Sequence, residues 1–191
     1  MALVYRSGPA VEPVSLAEPK AHLRLETSSD DALVTSLIIT SRLHIEASLG
    51  LALTAQEWTL VLDAWPATGV VNIPMRPVSA VSAVRVRAAD GAPVVVDPGT
   101  YVFEGAGIPP RLVPLGGAWP QPERATSGIE IDFTAGFGTT AASVPEPVRH
   151  ALKLLVAHWY EHRDPIEIGD PATRIPAALS ALLAPYAVVR L

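Results

Sequence analysis

The feature that most constrains this chain is its middle, where short alternating apolar runs are cut repeatedly by proline. From Gln56 to Phe137, Trp58, Leu60 and Leu62 alternate with Glu57, Thr59, Val61 and Asp63, the period-two pattern of a strand with one buried face. Val70 to Met75 and Val78 to Arg87 read as further strands, the latter with Val84 and Val86 opposed to Arg85 and Arg87. Asp90-Gly91 is a hairpin turn ahead of Val94 to Val96. Tyr101-Val102-Phe103 and Ile129 to Phe133 complete the expected set. Pro66, Pro74, Pro77, Pro109, Pro110, Pro114, Pro120 and Pro122 punctuate the region. Proline donates no ladder hydrogen bond, so these strands are expected to be short or at sheet edges.

On either side the period changes to that of helices. Ser15 with Glu18 three positions later is a capping-box pattern, and a short helix is expected from about Leu16 to Leu25. A second helix starts at the cap candidates Ser28 to Asp31, where its dipole favours negative charge. Leu33, Leu37, Ser41, Ile45 and Ser48 supply its expected stripe, widened by Val34, Ile38 and Leu49, and Gly50 ends it. Pro145 and Pro147 introduce a third helix with Val148, Ala151, Leu152, Leu155 and Trp159 on one face, stopped at Asp164-Pro165. Ile175-Pro176 opens a last short helix with Leu179, Leu182 and Leu183 inward, ended by Pro185. The expectation is an α+β fold with one domain over residues 1–191. A small helical bundle from the terminal segments (15–50 and 145–185) carries a β-rich insertion at about 56–138, and an apolar tail covers 185–191.

At 191 residues the chain buries roughly 70% of its unfolded surface and needs no staples. It has no cysteine, which excludes disulfides, thiolate zinc sites and a cysteine nucleophile. Net charge is −5, Lys20 and Lys153 are the only lysines, and no basic stripe offers itself to nucleic-acid phosphates. Hydrophobic residues reach 49%, an excess that points to apolar surface buried against other chains. The most apolar stretches, such as Leu33 to Ile39, fall far short of the ~18 residues of a membrane span. Arg6 follows the first apolar residues and Pro9 comes soon after, the wrong order for a signal peptide, so synthesis in the cytoplasm is expected.

The sharpest enzymatic pattern is His158-Trp159-Tyr160-Glu161-His162. It matches H-x-x-E-H, in which two histidines one turn apart bind zinc and the glutamate activates water. A third ligand is required, and the candidates are Glu167, Asp170 or His150. The opposing reading is an ordinary helix terminus, with His162 and Arg163 favoured by the dipole. Gly105-Ala106-Gly107 runs into Ile108-Pro109-Pro110, and Gly136-Phe137-Gly138 lies about eight residues ahead of the next helix. Neither puts glycines at a helix amino terminus, as a phosphate site needs, and both read as turns. Asp30-Asp31 reads as a helix cap, and Asp132 faces solvent between Ile131 and Phe133. No G-x-S-x-G elbow is present. No catalytic, cofactor-binding or metal-binding residue is therefore assigned. Trp58, Trp65, Trp119 and Trp159 lack interleaved basic residues and read as packing, not as a base-stacking platform.

The tail Pro185, Tyr186, Ala187, Val188, Val189, Arg190 and Leu191 is the more informative feature. Fully burying Tyr186, Val188, Val189 and Leu191 yields on the order of 5–10 kcal/mol. Ordering the segment costs a similar amount, at roughly 1–2 kcal/mol per residue. One tail docks weakly, whereas a ring of identical tails docks firmly through multivalency. The other arrangement is a tail folded back on its own domain.

In order and spacing, these segments resemble the head-tail connector (adaptor) proteins of long-tailed phages and gene transfer agents. The resemblance runs from Val14-Ser15-Leu16-Ala17-Glu18, Lys20-Ala21-His22-Leu23-Arg24 and Asp30-Asp31-Ala32-Leu33 into the middle of the chain. There it includes Glu57-Trp58, Ile73-Pro74, Arg76-Pro77-Val78, Val81 to Val84, Asp90-Gly91, Tyr101 and Trp119-Pro120. Phe133, Ala135-Gly136-Phe137-Gly138 and Val144-Pro145-Glu146-Pro147-Val148 follow. Leu155-Val156-Ala157-His158-Trp159-Tyr160-Glu161 and Arg163 close it. The position of His162 is commonly Asn in similar proteins, and Pro19 stands where a small helix former is usual.

The resemblance implies a non-enzymatic virion protein that forms a homo-oligomeric ring, commonly of twelve subunits. The ring sits between the portal protein and the tail-side stopper or tail, with DNA passing through the lumen without specific binding and no membrane involved. It implies that Pro185 to Leu191 contacts the portal. Two alternatives stand beside it: a zinc-dependent hydrolase using His158, Glu161 and His162, and a binding module unrelated to virions.

Overall fold

The structure is a computed structural model that describes residues 1–162 and 177–187. It is mixed α and β, and the chain divides into two compact units: Met1–Ala10 with Ala55–Phe137, and Val11–Thr54 with Gly138–Leu191.

The first unit holds two antiparallel sheets. Five strands, β1 (Ala2–Ser7), β2 (Gln56–Leu62), β8 (Ile129–Ala135), β4 (Val78–Arg87) and β5 (Pro93–Val95), lie side by side in that order. Three shorter ones, β3 (Val71–Asn72), β7 (Arg111–Pro114) and β6 (Tyr101–Glu104), form the second sheet. The alternation that marks β2 also sets its register. Leu60 lies opposite Ile131 and Leu62 opposite Ile129, and Val84 and Val86 meet the same two β8 residues from the other side. All six are buried, so β8 is sandwiched between apolar neighbours on one face. Asp90-Gly91 makes the expected turn: Gly91 adopts φ +85°, where a side chain is strained, and Ala88 N–H bonds Ala92 O at 3.0 Å.

Prolines sit at strand ends here. Pro77 precedes β4, Pro93 opens β5 and Pro114 closes β7. The ten residues of β4 contain none, which is why this strand runs long while β3 is cut to two residues before Pro74.

Two strands lie outside the sequence expectation. β7 is bounded by Pro110 and Pro114, and its Arg-Leu-Val-Pro run is too short to show alternation. β1 is almost wholly exposed, so no buried stripe marks it in the sequence. Pairing with β2, the Tyr5–Trp58 ring contact (centroids 4.9 Å apart) and the bonds Arg6–Thr59 and Ser7–Glu57 hold it.

The second unit holds four helices: α1 (Ala17–Leu23), α2 (Asp31–Leu49), α3 (Glu146–Glu161) and α4 (Ala177–Leu183). α3 packs against each of the other three. At α1 the Glu18 carboxylate reaches back to the Ser15 N–H at 2.8 Å, as in a capping box. The Ser15 hydroxyl also donates to Glu18, at 3.0 Å, so it does not cap the helix itself. α2 ends as expected on Gly50 at φ +63°.

Its buried side is rotated from the expected stripe. Val34, Ile38, Ser41, Arg42, Ile45 and Glu46 are buried, whereas Leu33 and Leu37 only flank them. An apolar count cannot place that side, because two of its six members are charged. In α3, Val148, Ala151, Leu152 and Leu155 are buried as expected. Val156 and His158 join them, whereas Trp159 is half-exposed, edge-on to His44 at 5.6 Å. The helix ends at Glu161, ahead of Asp164-Pro165, which lies outside the described residues. In α4, Leu179 and Leu183 are buried and Leu182 is half-exposed; Ile175 and Pro176 lie outside the described residues.

Arg149 ties α3 to the start of the helical unit. Its guanidinium donates to Pro13 O at 3.0 Å, Glu146 Oε2 at 2.7 Å and Glu18 Oε1 at 2.6 Å. Tyr160 bonds Asp30, and Lys20 pairs with Asp31, at the amino end of α2.

Candidate functional site

Among the described residues, most of those the sequence raised for chemistry have structural roles. His158 is buried in α3, and His162 caps that helix with its Nδ1 2.9 Å from His158 O. The two rings lie 4.6 Å apart, centre to centre. Glu161 points into solvent. His150, two turns earlier, is about 12 Å away along the axis at 1.5 Å rise per residue, and its ring neighbours His22 instead. Glu167 and Asp170 lie outside the described residues. Among the described residues, no three acidic or histidine side chains gather as metal ligands.

The glycine pairs sit in turns. A Cβ on Gly105 would fall 2.8 Å from the Phe103 ring and 3.1 Å from Val78 O. Gly138, at φ +158°, leaves no room for one beside Ser143 (2.5 Å). α3 begins only at Glu146. Asp132 does lie on the face of β8 opposite the core, as expected, but it is half-buried and bound. Its Oδ1 accepts the Thr59 hydroxyl at 2.6 Å, and Oδ2 pairs with Arg85. Next to it, Glu130 pairs with Arg87 at 2.6 Å.

Among the described residues, seven of the chain's fourteen basic side chains are paired with carboxylates. Lys20, Arg42, Arg85, Arg87, Arg111, Arg149 and Lys153 each sit within ion-pair distance of one. A guanidinium already neutralised presents little field to a phosphate chain. The tryptophans are likewise committed. Trp65 and Trp119 stack at 4.3 Å with planes 10° apart, and their indole N–H groups bind Pro120 O and Gly69 O. Tyr101 packs on Trp119 at 5.6 Å, and burial, with the Asp97 charge adding to it, pushes its hydroxyl above the usual phenol range. Trp58 and Trp159 have ring partners in Tyr5 and His44.

At the carboxyl end, Ala184–Tyr186 forms a single 3₁₀ turn behind α4. Pro185 and Ala187 are exposed and Tyr186 is half-exposed. Ala187 behind it has extended backbone (φ −72°, ψ 141°). Val188, Val189, Arg190 and Leu191 lie outside the described residues. Beside this exit a mainly apolar groove of about 270 Å³ runs between α2 and α4. Leu49, Leu179 and Leu183 line it, with His44 and Ser48 at its α2 side and Ala187 at its mouth. The groove lies outside the sequence expectation. Its trace in the sequence is the apolar residues Leu49 and Leu179, which reading each helix by itself sends to the core.

No helix among the described residues is long and apolar enough to cross a membrane. The described residues combine many internally paired charged side chains with large apolar side chains left at the surface, such as Ile39, Leu43 and Ile108, as in a protein that works through surfaces.

Comparison with solved structures is consistent with that class. The chain is similar over 100% of its length to a chain in the neck of an empty gene transfer agent particle computed with C6 symmetry. Identity is 31%, 97% of that chain is covered and the TM-score is 0.84. It is similar to a chain in the neck of a native particle computed with C12 symmetry at 30% identity and TM-score 0.82, again over 100% and 97% of the two chains. A chain of the native gene transfer agent virion matches at 29%, over the same shares, with TM-score 0.81. No family model matches the sequence, and no curated protein matches it. By fold and sequence, the chain belongs with these neck proteins, structural components of a phage-like particle located at its head-tail junction.

Proposed function

We propose that the chain is the head-to-tail adaptor, or connector, of such a particle. It forms a homo-oligomeric ring, of twelve copies in the particle, between the portal protein and the tail-side stopper or tail. DNA passes through the lumen. The arm from Pro185 to Leu191 is the portal contact. The observation that carries this reading is full-length similarity, at 30% identity, to a chain from a neck computed with C12 symmetry. Two features of the chain fit the role. Its paired basic groups and net charge of −5 allow DNA to move past without being held. The segment 185–191 is mainly apolar in sequence, with one tail too weak to dock by itself and a ring of tails strong enough.

The test is co-assembly with the portal protein of the same particle, using the full chain and a truncation lacking 185–191. The full chain is expected to add a ring to the portal, and the truncation to lose attachment at least tenfold. A truncation that docks equally well removes the arm from the portal contact. A full chain that leaves the portal bare overturns the adaptor reading.

A further inference from the structure

Helix α2 has an outer side that its sequence makes unusual. Between Ala32 and Leu49 the only charged side chains are Arg42 and Glu46, and both are turned inward. A helix facing water ordinarily carries charge on its outer side. This one presents Ile39 and Leu43, 39% and 53% exposed and one turn apart, among the small residues Thr35, Ser36, Thr40 and Ala47. The threonine hydroxyls spend their donors inside the helix and keep only acceptor capacity for other partners. Thr35 donates to Asp31 O at 2.8 Å and Thr40 to Ser36 O at 2.9 Å, each closing a bond within its own helix. The outer side is free of Lys, Arg, Asp and Glu for about four turns, with hydroxyls set between its aliphatic groups. It continues through His44 and Ser48 into the groove against α4.

From this we infer that the outer face of α2, centred on Ile39 and Leu43, is the surface on which the next copy of this chain packs. The inference rests on the ring proposed above. Charge selects the occupant. Each copy carries −5, so identical copies repel wherever their charged surfaces face each other. A four-turn face without charge is where two such copies meet with least repulsion. A nucleic acid would instead call for cations there, and α2 offers none on that side. Small side chains around two aliphatic ones also allow a neighbouring backbone to come close. In a closed ring the contact joins two different faces, so Leu43 meets some other part of the neighbour and not its own counterpart.

The experiment compares full-length wild type, Ile39→Asp, Leu43→Asp and a control, Ala21→Asp on an exposed position of α1, in assembly on the portal. Copies per portal are counted by native mass spectrometry, and folding is checked by circular dichroism. Wild type and control are expected to form complete rings. The two α2 variants are expected to fold and to lose complete rings at least tenfold. Complete rings from Leu43→Asp would overturn the α2 inference and leave the ring reading standing. Rings that form but fail to attach to the portal would overturn it too, by making this a portal-facing surface. Absence of rings from wild type would overturn the ring reading and this inference with it. Should an aspartate variant misfold, Leu43→Cys decides, because the chain has no other cysteine. Protection of that thiol from maleimide in the ring, with no Cys–Cys dimer on oxidation, supports the contact. Equal labelling in ring and monomer rejects it.

Discussion

Arg42 and Glu46 stand one turn apart on the buried side of α2, with Nη1 2.8 Å from Oε2 and side chains only 5% and 10% exposed. Neither has a single duty. Arg42 Nε also donates to Glu12 Oε2 at 2.8 Å, and Glu46 Oε1 accepts the Leu53 N–H at 2.8 Å. Burial pulls the guanidinium down. The bond to Glu12 and the charges of Glu46 and Glu12 outweigh it, so Arg42 is held above its usual value. This group fastens the segment before α1 and the segment after α2 to one point of the helix.

Removing one member leaves the other buried and uncompensated, so Arg42→Met is expected to lower the unfolding free energy by about 3–5 kcal/mol. Glu46→Gln keeps an acceptor for the Leu53 amide and is expected to cost less than Glu46→Leu, which strands that buried N–H as well. Urea unfolding of the three variants checks the order. Equal losses for the two Glu46 variants would show that the Leu53 bond contributes nothing.

Glu18 supplies the acid dependence. Burial raises its carboxyl, but the Ser15 bonds and the charges of Arg149 and Lys153 win, and its value lies below the usual glutamate range. A depressed carboxylate stabilises the fold fully above its unfolded value, and that contribution disappears as pH falls through the lowered folded one. Stability measured from neutral pH downward should fall through the carboxylate range, and Glu18→Gln should flatten part of that slope. At neutral pH, Glu18→Ala removes the cap altogether and should cost about 1 kcal/mol. A variant with an unchanged acid slope would remove Glu18 from this role.

How far the sequence reveals the fold depends on where the signal is carried. β4 runs over the ten residues expected, because Val84 and Val86 alternate with Arg85 and Arg87 and Pro77 marks its start. α2 ends where expected because Gly50 alone tolerates φ +63° there without strain. The side of α2 that is buried was not legible, since Arg42 and Glu46 read as surface residues until their partners Glu12 and Leu53, 30 and 7 residues away, are known. β1 was hidden for the opposite reason: an exposed edge strand held by backbone pairing leaves no apolar period. The outer face of α2 is written as a lack of charge, and reading for helical periods passes over an absence.

The histidine pair gives a clean measurement. His162 Nδ1 already faces the His158 carbonyl, and Asn in its place can donate to the same oxygen. His162→Asn is therefore expected to change stability by no more than about 0.5 kcal/mol. Zinc in excess over protein should leave the thermal midpoint of both proteins unchanged. A metal bound 100-fold above its Kd stabilises by about 2.7 kcal/mol, so a site would be plain in wild type and lost in the variant. That pattern would revive the zinc hydrolase.

Thr59 tests how the edge strand is held. Its hydroxyl is fully buried on the polar face of β2, accepting from Arg6 Nε at 2.8 Å and donating to Asp132 Oδ1 at 2.6 Å. One oxygen thus links β1 to β8 across the strand between them, and Asp132 extends the chain to Arg85 on β4. Thr59→Val keeps the volume and deletes that link, leaving one charged donor and one carboxylate oxygen without this partner. The expected loss is about 1–3 kcal/mol. Thr59→Ser retains the hydroxyl and gives up only a methyl, so it should lose roughly 1 kcal/mol. The location of the effect matters more than its size: amide exchange should quicken in Ala2–Ser7 in the valine variant and stay slow in the serine variant. Slow exchange in both would mean that pairing with β2 and the Tyr5–Trp58 contact hold β1 unaided.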